Sequence, residues 1–353
     1  MKKLKTKCRI LTIVSEEEVG AGSAPTIENE RKGAFDQPIN AAVEKTETTN
    51  NEGQTSVVIE ATNREEVEQQ LEKMGKDPTS LCVVRIPDGT KIISELSFES
   101  CWNVKKVIIP NSVLVIGEDA LIFCDLEEIE IPSSVVKIKG NPFYGNSIRS
   151  ITVDKNNPIY DSRDDSNAII RTEDNTLIVG SGNTVIPESV VKIGRGAFSQ
   201  DSIEHVNIPK SIIEIEASAI RNENIKSITV DKENPIYDSR NGCNAVIETE
   251  TNTLIAGCMN TVIPDTVEKI GKNAFSECLL SDVVIPDSVK VIEDFAFSNC
   301  EILSTVIIGK TIQTIDDYAF EFCDRLDTII LLGNEPKGNW KNSLPIGCKL
   351  MQV

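Results

Sequence analysis

From Ser56 onward the apolar positions recur in a fixed short frame. The stretches "IEIP", "VNIP" and "VVIP" alternate apolar and polar residues, or run apolar, into a proline. The fullest copy, "IPDSVKVIEDFAFSNCEILSTVIIG" from Ile285, reads I-P-x-S-V-x-x-I-x-x-x-A-F-x-x-C-x-x-L-x-x-I-x-I. Corner prolines stand at Pro87, Pro110, Pro132, Pro187, Pro209, Pro264 and Pro286, at intervals of 22–23 or 55 residues. Each 55-residue gap hides one more corner, at Val153-Asp154 and Val230-Asp231, reached through Ile148, Ile151 and Val153 or through Ile225, Ile228 and Val230. A coil of 33 residues follows each, so the chain holds about ten coils with a higher period of 77 residues.

Period-2 alternation over four residues predicts short strands, and the recurring corner predicts that they stack. A 22-residue coil carries about seven apolar side chains, at roughly 1.5–3 kcal/mol each when buried. Ordering its backbone costs about 1–2 kcal/mol per residue, so an isolated coil is unstable and must bury its faces on its neighbours. The expected fold is a β-rich, right-handed solenoid with parallel strands about 4.8 Å apart. Ahead of it, "SVVIEA" predicts a strand and "TNREEVEQQLEKMG" a helix. Thr62 and Glu65 are read as its capping box, Val67, Leu71 and Met74 as its apolar face, and Gly75 as its stop. The expected division is a disordered or loosely packed segment 1–55, a strand–helix cap 56–80, the solenoid 81–335 and a C-terminal cap 336–353. In the long coils, "NAVIETETNTLIAG" predicts a hairpin turning at about Thr249–Asn252, whose extra residues are expected to project as a binding edge.

The frame I-P-x-S-V-x-x-I-G-x-x-A-F-x-x-C resembles the BspA-type (Treponema-type) bacterial leucine-rich repeat over roughly residues 81–335. The long coils, with "NAII", "NTLI" and "TVIP", are similar to a variant in gut-associated bacterial members. The resemblance implies a leucine-rich-repeat solenoid used for binding or adhesion, commonly at the cell surface, with a protein or glycan as ligand.

Composition narrows the picture from the other side. Apolar residues at 40% exclude wholesale disorder, and a net charge of −19 argues against nucleic acid, since no basic surface releases counterions from phosphate. The basic start is followed by only a short apolar run, Ile10–Val14, which Glu16, Glu17 and Glu18 end, unlike an export signal. No run approaches the roughly 18 apolar residues of a membrane helix. An intracellular protein–protein scaffold is therefore the second reading, and a monomer without cofactor is expected in either.

Candidate chemistry is sparse. Cys101, Cys124, Cys278, Cys300 and Cys323 recur one per coil, with Asn146, Asp201 and Glu223 at the same position in other coils, a spacing that disperses metal ligands and predicts buried thiols at a turn. Cys243 and Cys258 flank the hairpin symmetrically and are read as a disulfide or as a reduced pair side by side; Ser166 and Ser181 replace them in the other long coil. The single histidine, His205, has no nucleophile pattern beside it, and "DKNNPIYDSRDD" lacks the order of a calcium loop. An enzyme is not expected. Nor is the near-duplicate pair "DKNNPIYDSR" and "DKENPIYDSR" expected to be a site: its Asn-Pro turn chemistry marks duplicated scaffold. What varies from coil to coil is the outward side of the strands. Lys105, Lys106, Glu127, Glu128, Glu204, His205, Ser281 and Asp282 form the candidate recognition surface.

Overall fold

A computed structural model describes residues 47–49 and 55–353 of the chain. Most of the segment expected to be loosely packed lies outside these residues. The exception is the strand Glu47–Thr49, antiparallel to Thr55–Glu60. The predicted helix forms over Arg64–Lys73, with Val67 and Leu71 buried, and ends at Gly75 with φ +67°. Its cap sits one residue later than the capping-box reading. Asn63 Oδ1 accepts from Glu66 N at 3.0 Å, while Glu66 Oε2 accepts from Thr62 N and Oγ1. Glu66, not Glu65, is thus the reciprocal partner, because the cap position belongs to Asn63.

The chain is a β-solenoid of stacked coils, as the periodicity predicts. Each short coil places a strand before its corner and a two-residue strand after it, as in Glu128–Ile131 and Lys137–Ile138. Neighbouring coils pair in parallel and in register, Glu128 with Ser150 and Ile131 with Val153. The A-F turns close each coil. Phe98, Phe143, Phe275, Phe297 and Phe320 are fully buried there, and Phe275, Phe297 and Phe320 stack at 5.0 and 5.4 Å between centroids. Two backbone positions per turn recur in the left-handed region, occupied for example by Asp119 and Phe123, Asn273 and Glu277, and Phe295 and Asn299.

The long coils depart from expectation in one respect. Their hairpins form where predicted, Ala245–Glu248 against Thr253–Gly257, and likewise Ile169–Arg171 against Thr176–Val179. They do not project. Ala245, Val246, Ile247 and Leu254 are buried, and Thr253–Gly257 pairs in parallel with Lys269–Ile270. The reason lies in the composition: "NAVI" and "NTLIAG" are apolar on both faces, so both faces are covered. Alternate residues feed different cores, since Cys243, Ala245, Ile247 and Leu254 pack toward the following coils and Val246, Ala256 and Cys258 toward the preceding ones.

Each hairpin also interrupts the sheet of long strands. Six strands run from Glu47–Thr49 to Ser150–Val153, two pair as His205–Ile208 with Ser227–Val230, and four run from Asp282–Ile285 to Lys349–Gln352. At the C-terminal end, Trp340 is buried edge-on against Phe320 and closes the aromatic ladder. The strand Lys349–Gln352 then adds a further rung beside Thr328–Leu331. The last segment is therefore part plug and part additional coil.

Candidate binding surfaces

The eight candidate surface residues all stand on the outward side of the long strands or the approach to them, at half-exposed or exposed positions. Stacking brings those of neighbouring coils together. Lys105 Nζ lies 2.7 Å from Asp125 and 3.2 Å from Glu127, and Lys106 pairs with Glu128. Burial pulls the Lys105 ammonium pKa down, but its bonds to Asp125 and Glu127 outweigh that and leave it raised. Glu204 binds Lys226 at 2.8 Å, which lowers its carboxyl, and His205 Nδ1 meets Ser227 Oγ at 2.8 Å. Asp282 accepts from Ser304 Oγ at 3.2 Å. The three groups belong to three different sheets, because the hairpins separate Lys105–Glu128 from Glu204–His205 and these from Ser281–Asp282. The result is rows of charge running along the stack, with no converging acid–base set among them. Among the described residues no group of His, Cys, Asp and Glu is disposed to hold a metal ion.

The turn cysteines are buried free thiols. Cys124, Cys300 and Cys323 each donate to the carbonyl of a ladder phenylalanine on an adjoining coil, Phe98 at 3.1 Å, Phe275 at 3.1 Å and Phe297 at 2.9 Å. Asn146 does the same job with its amide, donating to Leu121 O at 2.8 Å. In the two following turns the inward residues are Gln200 and Asn222, one position before the expected Asp201 and Glu223.

Cys243 and Cys258 are both free thiols in the structure, and they do not face each other across the hairpin as their symmetric spacing predicts. A bulge between Val246 and Ile247 is the cause. Ile247 pairs with Leu254 on one side of it and Ala245 with Gly257 on the other, a shift of one residue. One residue of slip sends a strand side chain to the opposite face. Cys258 Sγ consequently lies 3.4 Å from Asn244 O, and the two thiols sit in different cores. Burial raises the pKa of both and keeps them protonated.

The duplicated ten-residue stretch is a clasp. Asn157 Nδ2 donates to Pro132 O at 2.8 Å and Val135 O at 2.9 Å, and its Oδ1 accepts from Ile159 N and Tyr160 N, both at 2.9 Å. Asn234 repeats all four bonds onto Pro209, Ile212, Ile236 and Tyr237. The Tyr160 hydroxyl accepts from Ile138 N, and Tyr237 from Ile215 N. The asparagine and tyrosine of the motif thus serve the backbone of their own and the preceding coil, while Arg163 bonds the side chains of Asp161 and Asn175, as Arg240 does those of Asp238 and Asn252.

Two surface features escaped the reading of the repeat. A shallow cleft of about 340 Å³ opens at the first sheet interruption, between Thr184–Ile186 and Asn207–Ile208. Aromatic side chains also gather along the turn edge: Trp102 stacks on Phe123 at 5.8 Å, Phe123 meets Tyr144 edge-on, and Phe295 stacks on Tyr318. Nothing in a one-dimensional frame shows that "SCW", "IFC" and "PFYG" place their rings side by side, because that adjacency is created by stacking.

The profile of the BspA type leucine rich repeat region matches residues 76–163, 181–243 and 255–337, in six copies. Among solved structures the chain is similar to a leucine rich cell surface protein from Faecalibacterium prausnitzii, with 22% identity and a TM-score of 0.43, over 74% of this chain and 62% of that one. It is also similar to a leucine-rich repeat protein from Eubacterium ventriosum (17% identity, TM-score 0.42, 89% and 84% covered). A third likeness is to the pneumococcal vaccine antigen PcpA (18%, TM-score 0.41, 77% and 66% covered). The chain thus spans less than two thirds of the length of the Faecalibacterium protein. No curated protein matches it.

Proposed function

Because the chain belongs to the BspA-type leucine-rich repeat family, we propose that it is a non-enzymatic recognition module that binds a protein or glycan through the outward side of its long strands. The observation that carries the reading is the set of half-exposed and exposed, coil-to-coil variable side chains from Lys105 to Asp282, held in three fields on a stack whose inner side chains form the core. A repeat scaffold offers such a surface at low cost in ordering, since the backbone is already fixed before a ligand arrives. Display at the bacterial cell surface, as an adhesin, fits this reading and the family. Among the described residues no helix is long and apolar enough to cross a membrane. A scaffold in a reducing compartment is the second reading, favoured by nine described cysteines that are all free.

The test is a glycan array and a panel of immobilised candidate proteins probed with the whole chain and with a charge-reversed variant, Lys105→Glu with Lys106→Glu and Glu204→Lys. Loss of a ligand in the variant, with unchanged circular dichroism, supports the strand surface. Ligands that bind the variant as tightly as the parent refute it.

A further inference from the structure

On the turn edge of the last coils, aromatic rings face solvent beside carboxylates. Phe295 and Tyr318 stack with centroids 5.2 Å apart and planes 8° from parallel. Tyr318 is 48% exposed and Phe322 44%, while Phe297 and Phe320 in the same turns point inward and are fully buried. Phe295 and Phe322 both hold φ +57°, in a region that Asn273 and Asn299 fill at the corresponding positions of neighbouring turns. Phenylalanine there costs on the order of 1 kcal/mol, and Phe322 stays 44% exposed. Glu293 and Asp294 directly precede Phe295 in the chain, and Asp316 and Asp317 directly precede Tyr318, so carboxylates flank the stacked pair on both turns. The Asp316 carboxyl is pushed up by burial and then by the charges of Asp294, Glu293 and Asp317. Glu293 has Lys269 at 3.0 Å and Asp317 accepts from Asn339 N at 3.1 Å, but among the described residues no cation pairs with Asp294, Asp316 or Asp317.

The same edge shows, in the turns that precede this patch, what such a patch accepts. There Arg221 lies 6.0 Å from the centroid of the Tyr144 ring and bonds Glu277 at 2.5 Å, so one guanidinium satisfies a ring and a carboxylate together. The C-terminal patch has the rings and the carboxylates without the arginine.

We propose that the turn edge formed by Phe295, Tyr318 and Phe322 with Asp294, Asp316 and Asp317 binds an arginine- or lysine-rich polypeptide segment. Three rings and three carboxylates spread over adjacent turns exceed the reach of one small cation and suit several cations linked on one chain. Guanidinium is the better fit, because it stacks flat on an aromatic ring while its N–H fork bonds carboxylate. This surface is separate from the strand surface and does not depend on it.

The experiment is fluorescence anisotropy of the whole chain with a fluorescein-labelled alternating Arg-Gly peptide, and with Lys-Gly and Asp-Gly versions, at physiological ionic strength. Arg-Gly is expected to bind more tightly than Lys-Gly, and Asp-Gly not at all. Phe322→Asn combined with Tyr318→Ser should weaken Arg-Gly on the order of tenfold, as should Asp316→Asn with Asp317→Asn. Asparagine suits the left-handed position, so the first variant is not expected to unfold, and circular dichroism checks this. Absence of Arg-Gly binding overturns the proposal. So does an equal loss in Glu127→Gln with Glu128→Gln on the strand surface, since that outcome means general attraction to an acidic chain.

Discussion

Replacing Asn157 by alanine should be among the most destabilising polar substitutions available in this chain. The side chain is 9% exposed and makes four hydrogen bonds of 2.8–2.9 Å, two to carbonyls of the preceding coil and two from N–H groups of its own. A net hydrogen bond is worth about 1 kcal/mol, and removing one partner leaves the other to bear its desolvation. Water entering the vacated volume recovers part of this, so the expected loss is about 2–4 kcal/mol. Asn157→Asp should cost at least as much at neutral pH. It keeps the acceptor for Ile159 N and Tyr160 N but sets a carboxylate against Pro132 O and Val135 O, where two donors had been. Asn234→Ala should follow the same pattern with a somewhat smaller loss, since that side chain is only partly buried. Asn156→Ala, an exposed neighbour in the same loop, should stay within about 0.5 kcal/mol. Equilibrium urea unfolding, followed by tryptophan fluorescence from Trp102 and Trp340, measures all four. An Asn157→Ala loss below about 1 kcal/mol, or one equal to that of Asn156→Ala, would refute the clasp.

Four further outcomes follow from the packing. Gln200 is fully buried with neither amide atom bonded, so Gln200→Leu should raise stability by about 1–2 kcal/mol in the same urea assay. Asp119 has its carboxyl pushed up to about 6, first by burial and then by Glu118, Glu95 and Glu99. A raised acid stabilises fully below its ordinary value and loses that contribution as pH rises through about 6, so Asp119→Asn should stabilise at pH 7 and flatten the pH dependence between about 4 and 6. Its half exposure limits the gain to about 1 kcal/mol, and asparagine accepts the φ of +52° at this position. Gly257→Ala would put a methyl group 2.1 Å from the Phe275 ring and should cost about 1–3 kcal/mol, visible as a lowered melting temperature. Peptide mapping without reductant should return Cys243 and Cys258 unlinked; a linked peptide would show that the hairpin can lose its bulge.

The architecture was legible because a solenoid writes its period into the sequence. Corners, the Phe ladder, the cap helix and both hairpins stand within a residue or two of their expected places. The errors share a cause. The helix cap, the Cys243–Cys258 pairing and the inward residues Gln200 and Asn222 each missed by one position. A one-residue bulge or a turn one residue shorter leaves no mark in a string of apolar letters. The hairpins differ from expectation for another reason: "NAVI" and "NTLIAG" are apolar enough to require burial on both faces, whereas extra length in a coil points to exposure. The surfaces were the least legible part. Strand positions were identified correctly, but which charges neutralise one another, and which rings stack, depends on neighbours 20 or more residues away.

The two hairpins explain why the surface is organised as it is. A uniform stack would carry one continuous core and one continuous sheet. Here each hairpin is a wall whose alternate side chains belong to different cores, Val246, Ala256 and Cys258 on one side and Ala245, Ile247 and Leu254 on the other. Both sides are apolar, so a wall couples its neighbouring coils through packing although the ladder of long strands stops there. Stability in repeat arrays is a sum of units and their interfaces, which makes the wall residues the points through which one block senses the next. The interruption also divides the strand surface into three fields, with Lys105–Glu128, Glu204–His205 and Ser281–Asp282 each on its own sheet. Each field draws its charge pairs from within its own block, as Lys106 with Glu128 and Glu204 with Lys226 do. Substitution in one field should therefore leave the side-chain arrangement of the other two intact, so a ligand's footprint can be located block by block.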